Sequence, residues 1–526
     1  MVPRPVSPAP AEPLLPRFYA GRSVLITGAT GFMGKVLVER ILATCPEVAR
    51  LHLLMRDKRG HAPLKRLAQL KQSQIFDNVR ARDPHQLDKL FVVAGDVAKP
   101  QLGLDTEAIA QLRDVSVVFH SAATLRFDEP LPVALDQNVR SVERLLELCD
   151  KLPNMQAFVY VSTAYSNSEL PHVEERVYPP PVPLQQAYTV AESLPEELLA
   201  KITPQYISPK PNTYLFTKSL AENVVQQHGN QGYPVAVFRP TVVVSALKHP
   251  FPGWIESLNG PSGVLVGAGK GLLHVYCMRG DARADLLPVD IAIDTLMAVA
   301  WEIATDRPSE APVYNCSTCE NPMWWRDFEA GLRRHLRAHP FDKSYWHTGG
   351  FSVESKFAQK ALELFLQTTP LHIAEYVSKI LRLKPKMRYV KVAQRLVAMN
   401  DVFRPFSIRE WSFATDNVRK LQARLTPQDA AIYNLDPQSI NWMEHNRDFV
   451  KGTRKYLLQE KDQDIDEARK HQRMMFLLHN GLLMFTLTLL SRLALRNQYI
   501  HSLVFRTLRI LLAVLSSVYT RLKPLK

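Results

Sequence analysis

Tyr214 and Lys218, in the run Tyr214-Leu-Phe-Thr-Lys218, stand four residues apart and on a helix would share a face, with Asn212 or Thr213 placed to cap it. An ammonium beside a phenol favours the phenolate and lowers its pKa from about 10, making the tyrosine a usable proton donor or acceptor near neutrality. Alone, such a pair is an ordinary solvated helix face, and its meaning depends on its company. The apolar run Ala157–Ser162 predicts a strand that leads into Thr163-Ala164-Tyr165. Hydroxyls would then stand at the carboxyl edge of a sheet, where ligands of open α/β folds bind.

A second pattern lies near the start: Val24-Leu-Ile-Thr-Gly28-Ala-Thr-Gly31-Phe-Met-Gly34. Glycines three apart after a strand let the backbone turn tightly and approach a pyrophosphate, which meets the free N–H groups of the helix that follows. The strand Ser23–Thr27 and the helix Lys35–Leu42 supply that context, so the run reads as a dinucleotide site. The next strand, Leu51–Met55, ends in Arg56 with Lys58 and Arg59 close by, where an NAD site would carry an acid for the ribose 2′-hydroxyl. A guanidinium there suits a 2′-phosphate, which selects NADPH, although Asp57 works against it. Asp96, after the third strand, reads either as an adenine contact or as a plain loop aspartate.

These residues need a frame. Further strands are predicted at Leu90–Ala94, Val115–His120 and Pro234–Arg239, with helices at Val139–Cys149 and Thr213–Gln227. Nearly continuous apolar strands alternating with helices predict an α/β fold, a Rossmann-type doubly wound parallel sheet covered on both faces. The alternation stops near Trp325, and Phe357–Leu381, Val392–Met399 and Ser412–Gln459 read as helical, with turns near Pro427 and Pro437. The expected division is a disordered Pro-rich leader (1–20), an NADPH-binding catalytic region (21–330), a mostly helical C-terminal domain (331–460), a charged linker (461–473) and a membrane-associated segment (474–526). Between Tyr165 and Pro211 a long proline-containing insertion is expected to cover part of a substrate channel.

The composition is that of an ordinary globular protein, 46% hydrophobic and 22% charged, with a formal charge of +14 that favours anionic partners. No zinc-finger spacing and no basic block interleaved with aromatics occurs, which makes nucleic acid the weakest of those partners. Five cysteines make no disulfide framework, and Cys316 and Cys319, a CxxC without a second pair, read as two small residues near a strand end rather than metal ligands. Met474–Ser491 carries no charge but is interrupted by His479, Asn480 and Gly481, and Ile510–Thr520 is a shorter apolar stretch. One spanning helix with one interfacial helix, two interfacial helices, or a buried core helix all remain open. Arg492, Arg496, Arg506, Arg509 and Arg521 suit anionic headgroups.

Taken together these motifs resemble the extended short-chain dehydrogenase/reductase superfamily, and more narrowly, with insect-like character, the fatty acyl-CoA reductases. His120-Ser-Ala-Ala-Thr-Leu-Arg-Phe-Asp-Glu-Pro-Leu131, Tyr160–Tyr165, Pro211–Lys218, Gly253–Gly263, Gly267–Gly271 and Asp285–Asp290 are similar to that family's signatures. Arg409-Glu-Trp411, Asn417-Val-Arg419 and Arg454–Leu458 resemble its C-terminal domain, so the likeness covers roughly Arg22 to Glu460. The resemblance implies catalysis by Thr163, with Ser162 as an alternative, by Tyr214 and by Lys218. It implies cofactor contacts at Thr27, Gly28, Thr30, Gly31, Phe32, Met33, Gly34, Arg56, Asp96, Val97, Ser121, Ala122, Pro240 and Thr241, shared with Tyr214 and Lys218. It further implies NADPH, a long-chain acyl-CoA reduced through an aldehyde to a primary alcohol, membrane lipid as a partner and a homodimer. The catalytic region is expected to face the cytosol, on endoplasmic reticulum rather than peroxisome because Pro524-Leu-Lys526 is not a Ser-Lys-Leu signal. Ser141 departs from the family, which often has glycine there, and Asn138 reads as a proton-relay member or a helix cap. The rival readings are a sterol or nucleotide-sugar dehydrogenase of the same superfamily and a silent scaffold that binds NADPH or lipid.

Overall fold

The computed structural model describes residues 13–58, 60–382 and 388–496. Seven short runs build its central layer: β1 (Ser23–Thr27), β2 (Arg50–Met55), β3 (Leu90–Ala94), β4 (Val115–His120), β5 (Ala157–Val161), β6 (Val235–Pro240) and β7 (Val313–Cys316). Side chains alternate across a strand, and here both faces are covered. Ala157, Val159 and Val161 of β5 therefore enter one core while Phe158 and Tyr160 enter the other. All neighbours pair in parallel in the order β7-β6-β5-β4-β1-β2-β3. The chain winds outward from β1 in both directions, which opens a crevice at the carboxyl ends of β1 and β4. The predicted strands agree with the observed ones to within a residue. The sequence pattern does not single out β7, whose Val-Tyr-Asn-Cys is short and half polar.

The helices that frame the site in the first part of the chain are α1 (Phe32–Thr44), α2 (Ser141–Cys149), α3 (Thr213–His228), α4 (Pro261–Gly269) and α5 (Val289–Asp306). α1 and α5 cover one face of the sheet, and α2 and α3 the other. Two expectations are corrected here. Leu14–Tyr19, placed in the disordered leader, is a helix with Leu15 and Tyr19 fully buried. Its first N–H groups are capped from far along the chain by Asp429, at 2.8 and 3.1 Å, and the Tyr19 hydroxyl donates to the Met297 carbonyl at 2.9 Å. The insertion after Tyr165 is not a long loop. It forms helices over Leu184–Ser193 and Glu196–Tyr206, whose Ala187, Tyr188 and Leu199 complete the core on the α2–α3 side.

Beyond β7 the chain is largely helical: α6 (Trp325–Ala338), α7 (Lys356–Glu363), α8 (Thr369–Ile380), α9 (Tyr389–Ile408), α10 (Trp442–Gly452) and α11 (Ile465–Arg496). It is stitched to the earlier part by short parallel ladders, Ser412–Phe413 on His172–Val173 and Phe351–Val353 on Val275–Cys277. Backbones also touch directly. A Cβ on Gly452 would lie 1.8 Å from the Gly253 carbonyl oxygen, and one on Gly253 2.0 Å from that of Asp448. Most of the expected charged linker is the first turns of α11, which is long and apolar enough to cross a membrane. Its most apolar window has none of its residues buried within the protein, so α11 is not a core helix. Ile510–Thr520 lies outside the described residues.

A fully buried ion pair sits between β6 and α3. The Arg239 guanidinium donates to both Glu222 carboxylate oxygens at 2.9 and 2.6 Å, and the Ser162 hydroxyl donates to the same carboxylate at 2.5 Å. Both ionic side chains are all but inaccessible to water. Removing one partner of such a pair leaves an uncompensated buried charge, at a cost of about 3–5 kcal/mol, whereas replacing both with apolar groups often costs little. Urea unfolding is therefore expected to show Arg239→Met strongly destabilised and Arg239→Met/Glu222→Leu much less so. A double variant as unstable as the single one would show that packing, not charge, dominates there.

Candidate active site

The carboxyl ends of β1, β4, β5 and β6 border a cleft of about 440 Å³. At its floor, Gly28 has a φ of +73°, and a Cβ on it would lie 2.8 Å from the Ala122 nitrogen. The turn after β1 is thus pressed against the one after β4, an approach only glycine permits. A Cβ on Gly34 would meet the Gly28 carbonyl oxygen at 2.2 Å, so α1 also packs on this turn through hydrogen alone. Gly31 precedes α1, whose N-terminus opens on the cleft and offers N–H groups and positive dipole to an anion.

Cations collect at one end. Arg56, Lys58 and Arg66 line the cleft there with Asp96, which lies 3.5 Å from the Arg56 guanidinium. Arg66 comes from the helix Pro63–Lys71 and escaped the sequence reading, because nothing local tells that this helix folds back over the turn. It donates to the Thr30 hydroxyl at 2.8 Å and to the Arg56 carbonyl at 2.6 Å. Partial burial and the neighbouring Arg56 charge both push its pKa down. Two crowded guanidiniums of like charge favour an anion between them.

At the other end stand the hydroxyls. Asn212 caps α3 by accepting from the Leu215 N–H at 2.9 Å, which settles the choice between it and Thr213. Lys218 is buried, donates to the Val161 carbonyl at 2.7 Å and lies 4.6 Å from the Tyr160 ring centre and 6.0 Å from that of Tyr214. Burial pushes its pKa down to about 7, with the Glu222 carboxylate opposing. The phenol of Tyr214 moves opposite to the sequence expectation: desolvation holds it well above its ordinary range. A lysine that is itself poorly charged, at that distance from the ring, does not offset the lost water. Of the two candidate hydroxyls, Ser162 is committed to Glu222, while Thr163 accepts only a long 3.4 Å bond from the Tyr165 N–H.

Asn138 is not a cap and does not itself line the cleft, although Gln137 beside it does. Buried in a π-helical turn, Asn138 accepts from the Thr124 N–H and donates to the Thr217 hydroxyl, both at 2.9 Å, tying the loop after β4 to α3. Ser141 has its own function. Thr27 accepts from the Ala122 N–H at 3.1 Å, so its proton goes to His120 Nδ1 at 2.7 Å. The neutral His120, its pKa pushed down to about 3 by burial, then donates from Nε2 to the Ser141 hydroxyl at 3.3 Å. Ser141 passes its own proton to the Gln137 carbonyl at 2.7 Å. A glycine here would leave a buried N–H without that acceptor.

Every residue singled out from the sequence as catalytic or cofactor-binding lines this one cleft. The opposite wall, which sequence patterns did not assign, comes from Leu125, Val243, Ile255, Ser257, Asn259 and Ser262. The insertion residues 166–211 contribute nothing to the lining of this cleft, and Leu184 and Gln185 of their first helix lie against α3. Phe406, Trp411 and Phe413 close on Tyr165 at ring distances of 5.1 to 5.5 Å, so the C-terminal part buttresses the turn that carries Thr163. Cys316 bonds to Thr295 and Cys319 to the Phe413 carbonyl.

Lys218 gives a test of this electrostatic picture. The unfolded chain holds the lysine proton up to about pH 10.4, while the folded chain releases it near 7, so the unfolded state binds more protons in between and stability rises with pH across that window. The cost of burying the ammonium is full below that window. Without cofactor, Lys218→Met should raise the melting temperature more at about pH 6 than at about pH 9.5. An equal gain at both would mean that Lys218 keeps its proton throughout.

Known proteins place the whole arrangement. Two family models, both described as male sterility protein, match residues 26–296, as its NAD-binding part, and 366–460. Fatty acyl-CoA reductase 1 of Xenopus laevis is 36% identical over 459 residues, covering 87% of this chain and 88% of the relative. Fatty acyl-CoA reductase 2 of Bos taurus is 33% identical over 468 residues, covering 89% and 90%. Among solved structures, the terminal R domain of the myxalamid PKS-NRPS pathway superposes with a TM-score of 0.55 at 17% identity, covering 84% of this chain and 93% of that one. The reductase domain of a Mycobacterium tuberculosis nonribosomal peptide synthetase gives 0.53 at 19%, covering 82% and 91%. On the length and depth of these matches, the chain belongs to the fatty acyl-CoA reductase family of oxidoreductases.

Proposed function

We propose that this protein reduces a long-chain acyl-CoA to a primary alcohol at the cleft, with NADPH as reductant and release of coenzyme A. The observation that carries the reading is the meeting of the glycine turn, Thr163, Tyr214 and Lys218 in one cleft. A dinucleotide fits what is there: a turn stripped of Cβ atoms where a pyrophosphate must approach, a helix N-terminus behind it, and a cationic end. Arg56 and Arg66 would hold the 2′-phosphate, and Lys218 the ribose of the nicotinamide. Bound there, one NADPH would supply the hydride that reduces the thioester, which gives up coenzyme A to leave an aldehyde, and a second would supply the hydride that reduces that aldehyde.

The chain's own residues supply protons and hydrogen bonds. Thr163 and Tyr214 donate to the carbonyl oxygen as charge develops on it. Reduction consumes a proton at that oxygen, and a phenol held protonated by desolvation is in the right state to deliver it. Leu125, Val243 and Ile255 offer the apolar wall for the start of the acyl chain. We divide the chain accordingly into a catalytic region (21–330), a helical domain that braces it (331–460) and the membrane-associated α11. Five unpaired cysteines suit a reducing cytosolic side.

Tyr214→Phe keeps the ring and removes the proton. Turnover should fall roughly 100- to 10,000-fold with NADPH affinity nearly unchanged. The loss should appear equally with an aldehyde substrate, and a variant that reduced aldehyde at the parental rate would sink the single-site mechanism.

For the cofactor, Arg56→Ala and Arg66→Ala should each raise KM for NADPH while leaving that for NADH nearly constant. If both variants keep the parental preference, the 2′-phosphate is read elsewhere.

A further inference from the structure

The helices α7 and α8 are turned inside out, while α9 buries Ala393, Leu396 and Phe403 in the ordinary way. On α7 and the π-helical turn Leu364–Thr368 that follows it, the polar side chains Gln359, Glu363 and Gln367 are buried, with 0, 2 and 1% exposure, and on α8 Glu375 and Ser378 are buried. Part of their polarity is matched inward. Gln359 and Asn400 both donate to Glu363, at 2.9 and 2.7 Å, Asn400 also donates to the Val275 carbonyl, and Gln367 accepts from the His274 N–H. The apolar side chains point out: Phe357 is 85% exposed and Phe365 69%, while Ile373, Tyr376, Val377 and Ile380 form an exposed stripe at the i, i+3, i+4, i+7 spacing of one helix face. A helix facing water carries the opposite pattern, and contiguous exposed apolar surface of this kind marks a contact.

Two further observations choose the occupant. First, α11 is rooted in the segment that leads into α7. That helix leaves the body against the segment just before α7, where Gln472 donates to Thr348, Trp346 to His479, and His347 stacks edge-on to Phe476 at 5.2 Å. Phe351, beside that junction, is 60% exposed. Second, the border of the face is cationic: Lys356, Lys379, Arg382, Arg388, Lys391 and Arg395 are exposed, against Glu354, a Glu375 that lies 3.7 Å from Lys379, and an Asp401 already engaged by Lys360 at 2.9 Å. An apolar stripe rimmed by lysine and arginine, in a chain whose next apolar helix is likewise left unburied by the protein, fits a phospholipid surface containing anionic headgroups.

We propose that α7–α9 lie in the plane of one leaflet as a second membrane contact, with the stripe of α8 among the acyl chains and the cations at the phosphates. The proposal rests on the reading of α11 as a membrane helix. It adds that the body is seated on the bilayer rather than swinging from a tether.

The test uses the full chain with Cys319→Ser, reconstituted in phosphatidylcholine vesicles containing phosphatidylserine. Nitroxide labels are placed one at a time at Ile373→Cys, Tyr376→Cys, Lys391→Cys and Leu483→Cys, and their collisions with oxygen and with a water-soluble nickel chelate are compared by electron paramagnetic resonance. The expected result is an oxygen-to-nickel ratio at 373 and 376 approaching that at 483 and several-fold above that at 391. If 483 is immersed while 373 and 376 collide freely with nickel, the seated arrangement is overturned and the membrane reading of α11 stands. If 483 also faces water, both fall together. Labels at 373 and 376 shielded from both reagents would overturn it in favour of a protein cover. Dipolar broadening between labels would then identify a second copy, and its absence the chain's own residues 497–526.

Discussion

The site depends on the buried pair of Arg239 and Glu222. Glu222 lies one turn beyond Lys218 and two beyond Tyr214 on α3, and Arg239 lies at the end of β6. Their bond, joined by Ser162 at the end of β5, sets the height of α3 against the sheet edge. In a low-dielectric interior a displaced charge has no water to turn to, so the helix cannot slide by a residue without a large penalty. The position of the phenol and the ammonium relative to Thr163 follows from that. Glu222 also supports the charged state of Lys218, opposing its desolvation from within the same helix.

The parts of this molecule that could be read from the sequence are those whose cause is local. The glycine turn announces itself because backbone approach admits no substitute for hydrogen at Gly28 and Gly34, and the central strands because burial on both faces leaves uninterrupted apolar runs. Tyr214 and Lys218 are legible as a pair because four residues of helix bring them together wherever the helix sits. What escaped depends on tertiary placement. Arg66 reaches the cleft only because its helix folds back over Thr30, and Ser162 leaves the candidate list only because Glu222 takes its hydroxyl. The insertion after Tyr165 shows prolines that suggest a loop, yet Pro183 and Pro195 stand immediately before its two helices, a position proline tolerates.

The direction of the Tyr214 shift is the instructive error. Sequence proximity of lysine to tyrosine suggests a lowered phenol pKa, but a through-space effect depends on whether the lysine is itself charged and on how much water both have lost. Here burial acts on the two groups in opposite senses, toward neutral phenol and toward neutral amine. The cleft consequently has a marked polarity along its length, cationic where Arg56 and Arg66 stand and electrically quiet where the hydroxyls meet.

Asp429 capping the helix that begins at Leu14, and Gly452 in backbone contact with Gly253, bear on how the chain is made. The first helix cannot be completed, nor the turn at Gly253 closed, until the ribosome has released residues more than four hundred and nearly two hundred positions later. The nascent N-terminal half must therefore wait with its surfaces unfinished. Met474, where the uncharged stretch of α11 begins, follows Gly452 after only a few more turns, which at about 5–20 residues per second is a delay of seconds. The body becomes able to close at nearly the moment its apolar helix emerges, so completion of the fold and exposure of that helix are coupled in time.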